Sequence, residues 1–319
     1  MSKTAKQIIS LLLLVSAFAV TDLAVWTLFT KNYINDTSPE MQARSVEVSR
    51  FLPFDESSEI VRTDDAEKLK GDLPRVDGAA ALFPVYSAFV HALYPENSVI
   101  YENGSFAPDS PMQFRNTRGA YSALANKETD IIFVAQPSAE QLESMKKGGV
   151  DPVMVPIGCE AFVFIVSADN PVNDLSVDEV KAIYSGKITK WSEVGGNSRY
   201  IDAVQRNKGS GSRTAMTAFM GDVPMKRIPA FWYSGAIGYS FRYYVEGLAG
   251  NGKVKILSLN GVYPDKRSIA DGSYPVSSFF YAVYDRNNKN ENTEKFISFC
   301  LSDKGQRIIE ESGYVPLPE

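Results

Sequence analysis

The chain has 319 residues, an apolar share of 44%, and a net charge of −5 from 33 basic and 38 acidic side chains. Those values exclude wholesale disorder and argue against a nucleic-acid partner, which needs a basic face to meet phosphates. One histidine, His91, and two distant cysteines, Cys159 and Cys300, are too little for a histidine triad, a metal cluster or a disulfide framework, so no catalytic residue, metal or cofactor is implied.

Lys3 and Lys6 precede an apolar stretch from Ile8 to Phe29, and the next basic residue is Lys31. Two readings of residues 1–31 stand side by side. Ile8 to Val20 with Ala17-Phe18-Ala19 has the parts of a cleavable signal peptide. The whole stretch is also long enough for an uncleaved signal anchor, with Asp22 as its one acid. Either reading puts the body outside the cytoplasmic membrane, secreted or periplasmic in one case and held on the membrane's outer face in the other. Residues 32–75 are polar and acidic and read as a spacer whose second half lies along the body.

From about residue 76 onward strands alternate with helices, which predicts an α/β fold. Leu82, Val85, Phe89 and Leu93 recur at helical spacing within Ala79 to Leu93. A short strand is expected at Ser98 to Glu102, a helix at Arg118 to Ala125, and a buried strand at Asp130 to Ala135. Helix Ser138 to Lys147 ends at Gly148-Gly149, and two β-rich runs follow, Val153 to Val155 and Ala161 to Val166. Ser176 and Glu179 form a capping-box pattern for a helix that reaches Tyr184. A strand is expected at Ala203 to Arg206, a turn at Gly209 to Ser212, and a helix from Arg213 to Met220. Ile237 to Tyr244, Val254 to Leu257 and Ser278 to Tyr284 read as strands, and Thr293 to Leu301 and Lys304 to Glu311 as helices.

The chemistry concentrates in Arg206-Asn207-Lys208-Gly209-Ser210-Gly211-Ser212. A strand delivers an arginine, small residues turn the backbone tightly, and a helix begins with its first N–H groups unpaired. Ser210 and Ser212 add hydroxyls, and the guanidinium fork of Arg206 suits a tetrahedral oxyanion. Arg213, inside the helix, is expected to point to solvent. An ordinary capped loop has the same composition, so this motif alone does not decide the matter. Asp77-Gly78-Ala79-Ala80-Ala81 forms a second strand-to-helix junction that can offer backbone N–H groups to a cleft.

Leu73 to Tyr86 resembles the first ligand loop of phosphate-type periplasmic substrate-binding proteins of ABC importers. Ile183-Tyr184-Ser185-Gly186-Lys187-Ile188-Thr189-Lys190-Trp191 with Val194-Gly195-Gly196 is similar to that family's most recognisable internal motif. Arg206 with Ser210-Gly211-Ser212 matches its anion loop, and Ser302-Asp303-Lys304-Gly305-Gln306 and Gly313-Tyr314-Val315-Pro316-Leu317 resemble its C-terminal end. The likeness runs in order from about residue 73 to the end.

It implies the two-lobed type II periplasmic-binding-protein fold with two crossing hinge strands. Lobe one would be 76–160 plus 275–319, and lobe two 161–274. A small oxyanion, most readily phosphate, would bind between the lobes and pass to an importer permease. The resemblance assigns Arg206, Ser210, Gly211 and Ser212 to the anion from one side. Ala79, Ala80, Ala81 and a hydroxyl near Thr117 would meet it from the other. Ala80 stands where many relatives carry Ser or Thr, and Gln136 falls near the position of an aspartate that accepts the phosphate proton in well-studied relatives. The uncleaved-anchor reading, the long spacer and Ala80 support an alternative from another class, a membrane-anchored sensor or adhesion domain with a weakened ligand site. An enzyme ranks third, because no nucleophile–base pair emerges.

Overall fold

A computed structural model describes residues 46–63, 66–226, 234–248 and 252–318. The expected signal or anchor segment, 1–31, and the start of the 32–75 segment lie outside the described residues. Among the described residues no helix is long and apolar enough to cross a membrane.

The architecture is mixed α/β, as the alternation predicts. β1 (Val76–Gly78) pairs in parallel with β4 (Ile131–Ala135), whose unbroken Ile-Ile-Phe-Val run is buried on both faces. β11 (Ser277–Asp285) runs antiparallel to β4 and also to β5 (Pro152–Ser167). β5 then continues beside β8 (Ser234–Phe241) and β9 (Val254–Ile256), and β8 pairs in parallel with β7 (Tyr200–Ala203). The order in the seven-stranded sheet is thus β1-β4-β11-β5-β8-β7, with β9 on β5. Outside it, β2 (Tyr101–Glu102) pairs with β3 (Ser105–Phe106), and β6 (Asp174–Leu175) with β10 (Ser258–Leu259).

β5 corrects the sequence reading. Val153–Val155 and Ala161–Val166 are not two strands but parts of one strand of 16 residues. Pro156, Gly158 and Glu160 interrupt the apolar pattern without breaking the backbone. The register against β11 shifts near Phe280 and Tyr281 to accommodate them. Gly158 is required there, because a Cβ would lie 2.4 Å from the Phe280 ring.

Among the described residues three apolar clusters flank the sheet. One gathers α1 (Phe83–Leu93), Phe133, Phe280, α7 (Asn292–Leu301) and α8 (Asp303–Glu311). A second lies between α2 (Asn116–Ala125), α3 (Ala139–Lys147) and the facing residues of β4. The third holds Phe162, Phe164, Tyr184, Trp191, Met216, Tyr239 and Ile269, with contributions from β5, α4 (Val177–Tyr184), α5 (Gly211–Met220), β8 and α6 (Lys266–Ala270). Ser176 caps α4 through the expected reciprocal bonds with Glu179.

Two further expectations change. Val46, Phe51, Ile60 and Leu69 belong to the first cluster, so the described part of the 32–75 segment supplies core and is not merely a polar spacer. Their irregular spacing carries no period to read. The expected helix from Ala79 also divides: Ala80–Leu82 form one 3₁₀ turn and the α-helix begins at Phe83. Pro84 favours the first turn of a helix and would break its interior.

Candidate functional site

Asp77 organises one wall of the site. It is fully buried, and its Oδ1 accepts the N–H groups of Gly78 at 2.8 Å and Arg115 at 2.9 Å. Its Oδ2 accepts from Arg115 Nη1 at 3.0 Å. One carboxylate therefore clasps the 77–82 loop to the start of α2, and Asn116 takes a left-handed φ of 59° to enter the helix there. Burial pushes the Asp77 carboxyl up, opposed by the two N–H donors and Arg115. Beyond the clasp, Phe133 O takes the N–H of Ala79 at 2.8 Å, and Ala79 O takes that of Leu82 at 2.9 Å. The N–H groups of Ala80 and Ala81 are left without a partner among the described residues.

The opposite wall follows from the turn into α5. Gly209 at φ 82° reverses the chain, and Ser210 caps the helix by accepting from Arg213 N at 3.2 Å. The Ser210 hydroxyl also donates to Asn207 O at 3.0 Å, so it is committed to the turn. The N–H groups of Gly211 and Ser212 and the Ser212 hydroxyl remain unpaired among the described residues. Arg206 precedes this turn, its backbone N–H donating to Tyr239 Oη at 2.9 Å. Arg206 is only 7% exposed, and its Nε has no hydrogen-bond partner among the described residues. It makes no ion pair among the described residues, and burial draws its guanidinium below the ordinary value.

These walls enclose a cavity of about 400 Å³. Ala79, Ala80, Ala81 and Thr117 line it from one side, and Arg206, Ser210, Gly211 and Ser212 from the other. The walls meet closely: a Cβ on Gly211 would lie 3.4 Å from Ala135 Cβ and 3.6 Å from Thr117 Oγ1. Gln141 Nε2 on α3 donates across to Gly209 O at 3.3 Å. Phe241, Phe279, Phe280 and Tyr314 complete an aromatic side, and Tyr314 Oη donates to Ala81 O. A pocket of unpaired N–H groups, a free hydroxyl and an unpaired buried arginine can hold a compact anion by charge-assisted bonds.

Residues 106–304 match the family described as the PBP superfamily domain. The phosphate-binding protein PstS of Staphylococcus aureus is 30% identical over 278 residues, spanning 79% of this chain and 80% of that protein. The chain belongs to the PBP superfamily. PstS of Bacillus subtilis is 28% identical over 271 residues, covering 79% and 83% of the two chains. A Clostridium perfringens crystal structure with bound phosphate, described as that of a candidate phosphate ABC transporter substrate-binding protein, superposes with a TM-score of 0.59. It is 26% identical and covers 77% of this chain and 100% of its own. PBP membership accords with the α/β sheet and with a cavity between two walls of helix N-termini.

Of the residues named from sequence, only Gln136 lies elsewhere. It is exposed and lines a neighbouring cleft of about 850 Å³ with Lys181, Lys208 and Arg213. Just past the end of β4 the chain buries Pro137 and leaves Gln136 facing outward. Ser210 lines the cavity but spends its hydroxyl on the helix cap, contrary to its expected role as a donor. Arg213 does not point freely to solvent: it is half-buried, and its Nη1 donates to Gln205 Oε1. Sequence reasoning missed Arg118 and Glu160, both on the cavity lining. Arg118 follows Thr117 directly. Glu160 is a lone acid inside an apolar strand, a signal that was available.

Proposed function

We propose that this protein is an extracytoplasmic solute-binding protein that captures an oxyanion, phosphate, in its cavity for delivery to an ABC importer. Arg206 is the observation that carries the reading. A buried cation without a carboxylate partner is costly. Unpaired N–H groups from two helix starts share its cavity, so a bound anion would satisfy all of them at once. Family membership supports the same reading, since relatives of this length are named for phosphate binding.

In this proposal lobe one comprises 76–160 plus 275–319 and lobe two 161–274, with the long β5 and β11 linking them. Ligand contacts come from Arg206, Gly211, Ser212, Ala80, Ala81 and Thr117. The permease of the importer is the macromolecular partner, and an uncleaved 1–31 segment would tether the protein to the membrane. Calorimetry of the body, residues 32–319, with phosphate, sulfate, molybdate and tungstate tests the reading. Heat of binding with phosphate supports it, and silence with all four oxyanions refutes it.

A further inference from the structure

Glu160 has no role in the anion cradle, yet it lines the same cavity and is only 4% exposed. It stands in β5 opposite Ser278 of β11, one pair before that pairing ends at Ala161 and Ser277, and the strand takes up β8 at Phe162. Its Oε1 accepts from Ala161 N at 2.9 Å and its Oε2 from Tyr243 N at 3.2 Å. Arg242 Nε lies 3.5 Å from Oε1 but makes no hydrogen bond. The short bonds of Arg242 go to Glu246 Oε2 at 2.7 Å and to Gly313 O at 2.8 Å. One guanidinium thus serves two carboxylates, and the buried one has the poorer share.

The groups facing Glu160 are few. Arg242 and Tyr243 follow the end of β8, Glu246 lies in the helical turn after them, Tyr314 comes from the C-terminal segment, Ser278 from β11, and Cys159 precedes it in β5. Arg206 lines the same cavity. Burial pushes the carboxyl up to about 7, against the pull of Arg242 and the two N–H donors, with Glu246 adding to the rise. An anion seated at Arg206 adds negative charge to the same water-poor cavity.

Resting on the phosphate reading above, we propose that Glu160 takes up a proton from solvent when the anion binds and then presents an O–H donor to the cavity. Capture is therefore linked to protonation of the strand that joins the two walls. The proton comes from the buffer acid, which is left as its conjugate base, and no other bond is made or broken.

The test is calorimetry of phosphate binding to the intact body in buffers of different ionisation enthalpy. At a pH of about 8, where inorganic phosphate is mostly the dianion, nearly one proton should be taken up per phosphate bound. Between about pH 8 and 9 the affinity of the wild type should fall roughly ten-fold, and that of Glu160→Gln should stay level. Phosphate bound without proton uptake overturns the proposal alone. Uptake that persists in a folded Glu160→Gln also overturns it, because the proton then resides on phosphate. No phosphate binding at any pH overturns the phosphate reading and this proposal together. If Glu160→Gln does not fold, infrared difference spectra of wild type with isotope-labelled glutamate decide. A protonated glutamate C=O band that grows on phosphate addition supports the proposal, and its absence overturns it.

Discussion

Arg206→Ala tests the site most directly. Arg206 is 7% exposed, so solvent screens it little, and it has no ion-pair partner among the described residues. A two-pronged contact to an anion supplies two charge-assisted bonds of about 1.5–3 kcal/mol each. Their loss should cost at least about 3 kcal/mol of binding, more than a hundred-fold in Kd. The unliganded protein should respond in the other direction. Removing a buried, uncompensated cation takes away a desolvation cost, so its melting temperature should hold or rise. Arg206→Lys should restore only part of the affinity, because an ammonium lacks the planar fork. Arg118→Ala is the comparison: its side chain is exposed, and its loss should cost under ~1 kcal/mol and fade at high salt. The assays are phosphate calorimetry and thermal melting of each variant. A folded Arg206→Ala that binds phosphate within a few-fold of wild type would refute the assignment.

The two serines of the turn should separate cleanly. Ser210→Ala should cost about 1 kcal/mol of stability through the lost cap, measured by denaturant midpoint, and Ser212→Ala should leave stability alone but weaken phosphate roughly ten- to a hundred-fold. Asp77→Ala should destabilise the fold by about 3 kcal/mol or more, because two backbone N–H groups and Arg115 lose a fully buried acceptor; a melting point within a degree or two of wild type would argue against the clasp. Glu160 gives a pH dependence of stability. Its carboxyl rises from 4.5 unfolded to about 7 folded, so its contribution is complete below pH 4.5 and is lost as pH rises through about 7. The loss is about 3 kcal/mol, and Glu160→Gln should remove that part of the slope when unfolding is followed by denaturant across the range.

Much of the cavity was legible because its parts are local. Arg206, Gly211 and Ser212 sit within one strand–turn–helix unit, and the unpaired N–H groups of a helix start are a property of any helix. Ala80 and Ala81 belong to a second such unit, made plain by Gly78 and Pro84. The α/β class followed from apolar runs such as Ile131 to Val134, which can only be interior strands. Tertiary structure decided what depends on residues distant in sequence. It joined two β-rich runs into one β5, because β11 and β8 hold successive stretches of that strand in line. It committed Ser210 to capping and turned Gln136 out of the cavity. It brought Val46, Phe51, Ile60 and Leu69 into a core whose pattern no period announces. Above all it set Glu160 into the lining of the anion cavity, beside an arginine already shared with Glu246. Sequence alone determines which groups can bind an anion, since that rests on bonding rules within a few residues. Burial and the sharing of partners decide the charge state of each group, and only the folded chain sets those.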